Sequence, residues 1–335
     1  MYRFAKSKVK RILVITLTNT GDIILTTPVI GALLNKFGGA KLDIAVGPNG
    51  KEIFERDNRV SKIFVYDKHS SFFEKFRLIK KLRNMRYDLA CDLRNTIIPV
   101  LINAKFKSPM SRRVKGRLHK VKQHLSVVKF MGVPLEGAKI RIEIGNDDFE
   151  NAERLIKNIN KDYIVISCGA KSHTKRWPAS YFAALSDIIK KSFGCEVVLV
   201  GKDDGYSPDS DRVVADKVKM IMQSSPVDII GKTNIRELAA VFLKARLVIT
   251  NDSAPLHVAS AVNAPVIAIF GPTDERKYGP LSEKSIILRK HLKCAPCEKA
   301  QCRSSYECMR KITVDDALNA VRKLLDVNIF KPINI

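Results

Sequence analysis

The sequence predicts an α/β protein built from two Rossmann-like, doubly wound domains facing a central cleft. Three observations predict it. Short apolar runs of strand length alternate with amphipathic stretches of helix length, as βαβ units require. The alternation restarts after a polar segment near residues 145–162, and each half opens with strand, glycine loop, helix. The length of 335 residues suits two domains of about 150 each. We place the domains at 1–155 and 156–335.

In the first half, strands are expected at 12–17, 42–46, 63–66 and 88–93, with helices at 25–37, 72–83 and 119–131. Residues 18–22 read as a loop between the first strand and first helix. A helix-like polar stretch follows at 147–160. In the second half, strands are expected at 163–167, 196–200, 228–230, 247–250 and 266–270. Helices are expected at 180–193, 235–245, 255–262 and 314–325. Pro255 suits a first helical turn, and Thr313 suits an N-cap. Ligands of such sheets bind outside the C-terminal ends of the strands.

The chain carries 59 Lys and Arg against 34 Asp and Glu, a net charge of +25, with an ordinary 45% hydrophobic content. That apolar content excludes a disordered chain. No apolar run approaches the ~20 residues of a membrane span, and the run at 12–17 is too short for a signal-peptide core. A soluble, cytosolic protein is expected. The charge is uneven: residues 1–160 hold 32 basic and 15 acidic side chains. The 43 residues between Asp92 and Glu136 hold no carboxylate and ten basic groups, among them Arg112, Arg113, Arg117 and Lys120. Such clustering attracts anions: nucleic acid, an anionic membrane surface or a phosphorylated substrate. A plain solvated basic face is the alternative. Nucleic acid lacks its other signals, since there is one Trp, no RNA-binding aromatic consensus and no finger spacing of Cys and His.

Four motifs sit at strand ends. Thr18-Asn19-Thr20-Gly21-Asp22 follows the first strand, where a Gly permits a sharp turn and a carboxylate could act as general base. Asp22 could equally be a first-turn residue answering the helix dipole. One Gly where three are wanted excludes a dinucleotide fingerprint. The run Gly169 to Pro178 collects Ser172, Thr174, Lys175 and Arg176 at a helix entrance, a setting suited to a diphosphate or to a basic surface loop packed on Trp177. It lacks the spacing of a P-loop. Thr250 to His257 places Asp252 and Ser253 at a helix start, an anion site by its free N–H groups. Asp252 could instead be only a cap, and His257 a buried structural histidine. Phe270-Gly271-Pro272-Thr273-Asp274 breaks another strand end into a turn.

Taken together and in this order, G-D-I-I-L-T-T-P, K-R-W-P, N-D-S-A-P-L-H and F-G-P-T-D resemble the bacterial heptosyltransferases of glycosyltransferase family nine. The likeness runs from about residue 11 to 325. It implies a GT-B fold, with an acceptor-binding first domain and a nucleotide-sugar-binding second. It implies inverting transfer of heptose from ADP-heptose to the inner core of lipopolysaccharide. By motif, Asp22 resembles the catalytic base and Lys175 the cation on the donor phosphates. Thr20, Gly21, Ser172, Thr174, Asp252, Ser253, Ala254 and His257 match donor-binding positions, with Ala254 where some members have Gly. Gly231, Lys232 and Thr233 sit where the family holds adenine. Arg112, Arg113, Arg117 and Lys120 are expected on the acceptor. No D-x-D pair ends a strand, so no metal is expected to be required. The protein is expected to act as a cytoplasmic monomer, peripherally on the anionic inner-membrane surface, without nucleic acid. Another nucleotide sugar is the alternative donor, and a non-catalytic basic binding protein the distant alternative.

Seven cysteines are present, four of them in Cys294-x₂-Cys297-x₄-Cys302-x₅-Cys308. These could hold a structural Zn²⁺ or an iron–sulfur cluster, pair as two disulfides, or remain thiols. A cytosolic setting disfavours disulfides. Similar Cys-rich loops occur in some relatives, where they are not catalytic.

Overall fold

The computed structural model describes residues 9–109, 117–203, 205 and 210–326. The chain divides into two compact units, Met1–Glu143 and Ile144–Ile335. The first runs β1 (Arg11–Ile15), α1 (Thr20–Ile24), α2 (Thr27–Lys36), β2 (Lys41–Val46), α3 (Lys51–Phe54), β3 (Lys62–Val65), α4 (Phe72–Asn84), β4 (Leu89–Asp92), α5 (Ile98–Leu101), β5 (Phe106–Lys107) and α6 (Lys120–Phe130). Its parallel sheet has the order β3-β2-β1-β4-β5. Ile12, Leu13, Val14 and Ile15 are all buried. Helices cover both faces of a parallel sheet, so its inner strands are apolar throughout.

The second unit runs α7 (Asn146–Ile156), β6 (Tyr163–Ser167), α8 (Ala179–Phe193), β7 (Glu196–Leu199), α9 (Asp211–Ile221), β8 (Val227–Asp228), α10 (Ile235–Lys244), β9 (Leu247–Asn251), α11 (Ala254–Ala261), β10 (Val266–Phe270), α12 (Glu275–Tyr278), β11 (Ser285–Arg289), α13 (Glu307–Arg310) and α14 (Val314–Asp326). The sheet order is β11-β10-β9-β6-β7-β8. Counted from β6 as the first strand, this is the Rossmann order 3-2-1-4-5-6. Each unit therefore has a switch point: β1 beside β4 in the first, β6 beside β9 in the second.

The units divide at 143/144, one helix earlier than the 155/156 read from the sequence. The cause is α7. Its Asp148 receives Arg236 Nε of α10 at 3.1 Å, with side chains only 4% and 9% exposed. Asn151 Nδ2 donates to Glu237 Oε1 at 2.8 Å. These polar ties, invisible in a hydrophobic pattern, bind α7 to the second unit. The stretch 18–22 is also not all loop: α1 starts at Thr20 and puts Asp22 in its first turn.

Candidate functional site

In the first unit, β1 ends and the chain turns through Thr16–Asn19 into α1. Gly47, at the end of β2, presses on this turn: a Cβ there would lie 2.8 Å from Thr18 Cα. Only glycine leaves room for that approach. Asn19 Nδ2 donates to Asp22 Oδ2 at 3.1 Å, which orients the carboxylate at the sheet's C-terminal edge. Thr16 and Thr26 hydroxyls bond at 2.7 Å beneath it. Thr20 and Gly21 are half-buried in the same turn.

The structure brings α6 to this corner. The His124 pKa is pushed down to about 4 by burial first, then by Lys120, while the Asp22 charge opposes the shift. Asp22, Lys120 and His124 thus share one electrostatic neighbourhood. His124 is the residue that the motif reading missed, because a lone histidine inside a helix carries no spacing signal. Lys120 Nζ donates to Gln123 Oε1 at 3.4 Å, and Arg117 is exposed just before α6. Arg112 and Arg113 lie outside the described residues. At the other side of this switch point, Asp92 accepts from Arg94 N at 2.8 Å and from Thr96 N and Oγ1, both at 2.6 Å. That turn also went unrecognised from sequence.

In the second unit the switch point is more tightly built. Asn251, the last residue of β9, accepts from Trp177 N at 3.0 Å. Its Nδ2 donates to Cys168 O and Gly169 O at 2.9 and 3.2 Å. One amide thereby ties β9 to the loop after β6. Trp177 is 1% exposed, donates from Nε1 to Ile312 O at 2.8 Å and stacks edge-on against Phe182. Arg176 gives Nε and Nη2 to Ala170 O, so it shapes the loop from within.

On this frame Lys175 Nζ donates to Asp252 Oδ2 at 2.7 Å, with side-chain exposures of 31% and 5%. The Lys175 ammonium also lies 6.0 Å above the Tyr278 ring. Ser172 and Thr174 hydroxyls bond at 2.8 Å, and Thr250 and Ser253 hydroxyls at 3.3 Å. Ser253 caps α11 without a side-chain bond to its N–H groups, and Ala254 opens the helix. His257 is buried one turn in. A cation, four hydroxyls and a helix start converge at one strand junction. That is a setting for a diphosphate.

Gly231, Lys232 and Thr233 lie beyond β8, two strands away from β6. Gly231 has φ +72 and abuts Asp203, where a Cβ would come within 2.3 Å. Its N–H donates to Gly201 O at 2.9 Å. Lys232 Nζ turns back to Asp228 O at 3.0 Å. Asp211, at the start of α9, fills the space beside Gly169 and Gly201 and accepts from Lys202 N at 3.0 Å. Its position was not foreseen because α9 itself was not.

The four clustered cysteines line one cavity with Thr174 and Pro272. The Cys308 thiol is pushed up to about 11 by burial and by Cys302, Cys297 and Cys294. Cys302 Sγ accepts from Ser304 N and Tyr306 N at 3.4 and 3.3 Å. Cys308 is buried beside Gly271, whereas Cys294 is exposed. Among the described residues, no group of three or more His, Cys, Asp or Glu is arranged to hold a metal ion. The structural Zn²⁺ considered from the spacing is therefore not supported. The thiols surround a shared space without converging on one point.

Two Rossmann-ordered units with candidate residues at their switch points define the GT-B class of glycosyltransferases. The comparisons agree on the fold. The glycosyl transferase family 9 structure from Veillonella parvula superposes with a TM-score of 0.86, at 23% identity, covering 96% of this chain and 99% of that one. The Escherichia coli ADP-heptose LPS heptosyltransferase II gives 0.79 at 19% identity, covering 95% and 99%. In sequence, residues 105–307 match the model of glycosyltransferase family 9 (heptosyltransferase). Lipopolysaccharide heptosyltransferase 3 of Escherichia coli is 30% identical over 294 residues, 79% of this chain and 85% of its own. The chain belongs to glycosyltransferase family 9, the heptosyltransferases.

Proposed function

We propose that this glycosyltransferase moves heptose from ADP-heptose to the lipopolysaccharide inner core with inversion at the anomeric carbon. The observation that carries this is the second unit's junction, where Lys175 and Asp252 pair at 2.7 Å beside the start of α11. ADP leaves as negative charge gathers on its β-phosphate. The Lys175 ammonium and the α11 N–H groups stabilise that charge, and the Ser172, Thr174 and Ser253 hydroxyls orient the phosphates. Gly231–Thr233 hold the adenine through backbone. Asp22 takes the proton from the acceptor hydroxyl as its oxygen attacks. Arg117 and Lys120, with Arg112 and Arg113, bind the acidic groups of the acceptor. Ion pairs and helix N–H groups supply the charge stabilisation, so transfer needs no divalent metal and survives EDTA treatment.

The enzyme works in the cytoplasm, at the inner-membrane surface that carries its acceptor. None of the described helices is long and apolar enough to cross a membrane. The test is mass-spectrometric product analysis with ADP-heptose and a panel of truncated cores. A heptosylated core is expected, and the panel identifies the position. Transfer from a different nucleotide sugar alone would replace the donor, and no transfer from any donor would overturn the reading.

A further inference from the structure

Helix α4 turns one face to the sheet and another to solvent. Leu82 is buried in the first unit's core, with Leu78, Ile79 and Met85 packed against it. Phe72, Phe73 and Phe76 point the other way and are 78%, 79% and 61% exposed. Three bare phenylalanines on one helix are unusual for a soluble surface. Their neighbour α5 packs against α4 and adds exposed Ile97, Val100 and Leu101. Exposed apolar side chains thus lie on both of these packed helices.

The rim of this patch is predominantly basic. Residues 67–86 hold seven Lys and Arg against two carboxylates. One of the two, Glu74, is consumed by the capping box with Ser71. Among the basic groups, Lys75 reaches Lys68 O at 2.7 Å and Lys81 lies over Phe64. Arg77, Lys80 and Arg83 occupy the exposed face. A second copy of the chain would bring like charges together across a two-fold axis. An anionic bilayer satisfies both features: aromatic rings enter at headgroup depth, and Lys and Arg meet the phosphates.

Topology gives the patch a use. In a parallel sheet, all loops that follow strands lie on one edge. Phe72 and Phe73 follow β3, Ile97 follows β4, and Asp22 follows β1. We infer that the α4–α5 face is a membrane-docking surface that seats the first unit on anionic lipid, with the Asp22 edge turned toward a lipid-carried acceptor. This deepens the proposed function and rests on it for the acceptor.

The experiment is co-sedimentation of the full chain with vesicles of phosphatidylcholine, alone or with about 30% phosphatidylglycerol, at about 0.1 M salt. Partitioning onto the anionic vesicles is expected to exceed that onto neutral ones by tenfold or more. The triple variant Phe72→Ser, Phe73→Ser, Phe76→Ser is expected to lose about tenfold to a hundredfold. The double variant Arg77→Glu, Lys80→Glu is expected to lose about tenfold. Heptose transfer by the triple variant to a lipid-free acceptor stays at the wild-type rate, which shows that it is folded. Equal vesicle binding by wild type and the triple variant overturns the inference, as does no wild-type binding. A wild-type dimer that the triple variant abolishes, without vesicle binding, assigns the face to a second copy and also overturns it. Vesicle binding reads the docking surface, while transfer to the lipid-free acceptor reads the proposed activity, so the two fail separately.

Discussion

Removing Lys175 should damage the enzyme more than removing Lys175 and Asp252 together. The pair is 2.7 Å apart, and Asp252 is 5% exposed. On the proposed donor site, Lys175→Ala removes from the diphosphate a charged hydrogen bond worth about 1.5–3 kcal/mol, or roughly 10- to 150-fold in kcat/KM. The buried Asp252 carboxylate is then left without its counter-ion, facing an incoming dianion. Its repulsion adds to the loss. Asp252→Ala keeps the ammonium but frees its chain, which costs up to about 1.5–2 kcal/mol of ordering, or roughly 10- to 30-fold. The double variant lacks both cation and repulsion and is expected to recover part of the Lys175→Ala defect. Steady-state kinetics on the four proteins give the coupling, expected at about 0.5–3 kcal/mol. Thermal melts provide an independent reading. A fully buried pair broken on one side costs about 3–5 kcal/mol. With Lys175 partly exposed the cost falls to about 1–3, a drop of roughly 2–10 °C. If the double variant loses the product of the two single losses, the residues act separately and the pairing argument fails.

Asp22→Asn is expected to lower kcat by about 10²–10⁴ with ADP affinity unchanged in calorimetry; near-normal turnover would remove Asp22 from the base role. The folded His124 pKa of about 4 lies below the ~6.5 of a free imidazole, so the unfolded chain protonates first. Stability should therefore fall by about 2–3 kcal/mol as the pH drops from 6.5 toward 4. His124→Gln should flatten that dependence in urea melts at the two ends of the window, and an identical slope in the variant would refute it. Asp148→Ala leaves Arg236 charged and buried, at an expected cost of about 3–5 kcal/mol, whereas Asp148→Ala with Arg236→Met should restore most of it. Urea midpoints that rank the double variant below the single would contradict this account of α7.

The strands were legible because they are buried on both faces: Tyr163–Ser167 and Val266–Phe270 match the expected bounds. Such runs are apolar throughout and bounded by turn residues. Elements that depend on tertiary partners were not legible. The two-residue β5 and the half-exposed edge strand β11 carry too little burial to pattern the sequence. Helix α9 opens on Asp211, whose task is to fill the space beside two glycines. The motifs located the switch-point loops because helix starts and strand ends use a limited set of residues. They did not reveal that Asn251 clamps the two strands, nor that Lys175 and Asp252 bond. Those are contacts over 74 to 83 residues of sequence separation, and no local pattern encodes them.

The distribution of charge follows from the same contacts. In the second unit the cations near the strand ends are largely consumed within the protein. Lys175 meets Asp252, Arg176 meets Ala170 O, and Arg276 meets Asp274. Arg212 bridges Asp203 and Asp228. Burial alone would raise the Asp228 pKa, but the Lys219 and Arg212 cations and the Ile230 N–H hold it low. A diphosphate site needs few net charges if its donors are pre-aimed, because a fixed dipole costs no reorganisation when charge develops. The proposed donor site therefore accounts for little of the chain's excess, +25 in all. Residues 1–143, the first unit, hold 30 of the 59 basic groups but only 11 of the 34 acidic ones. The same Rossmann order thus serves two electrostatic ends. One unit pairs its strand-end cations internally around the proposed diphosphate site, and the other carries the larger basic excess, which suits the anionic surface proposed for it.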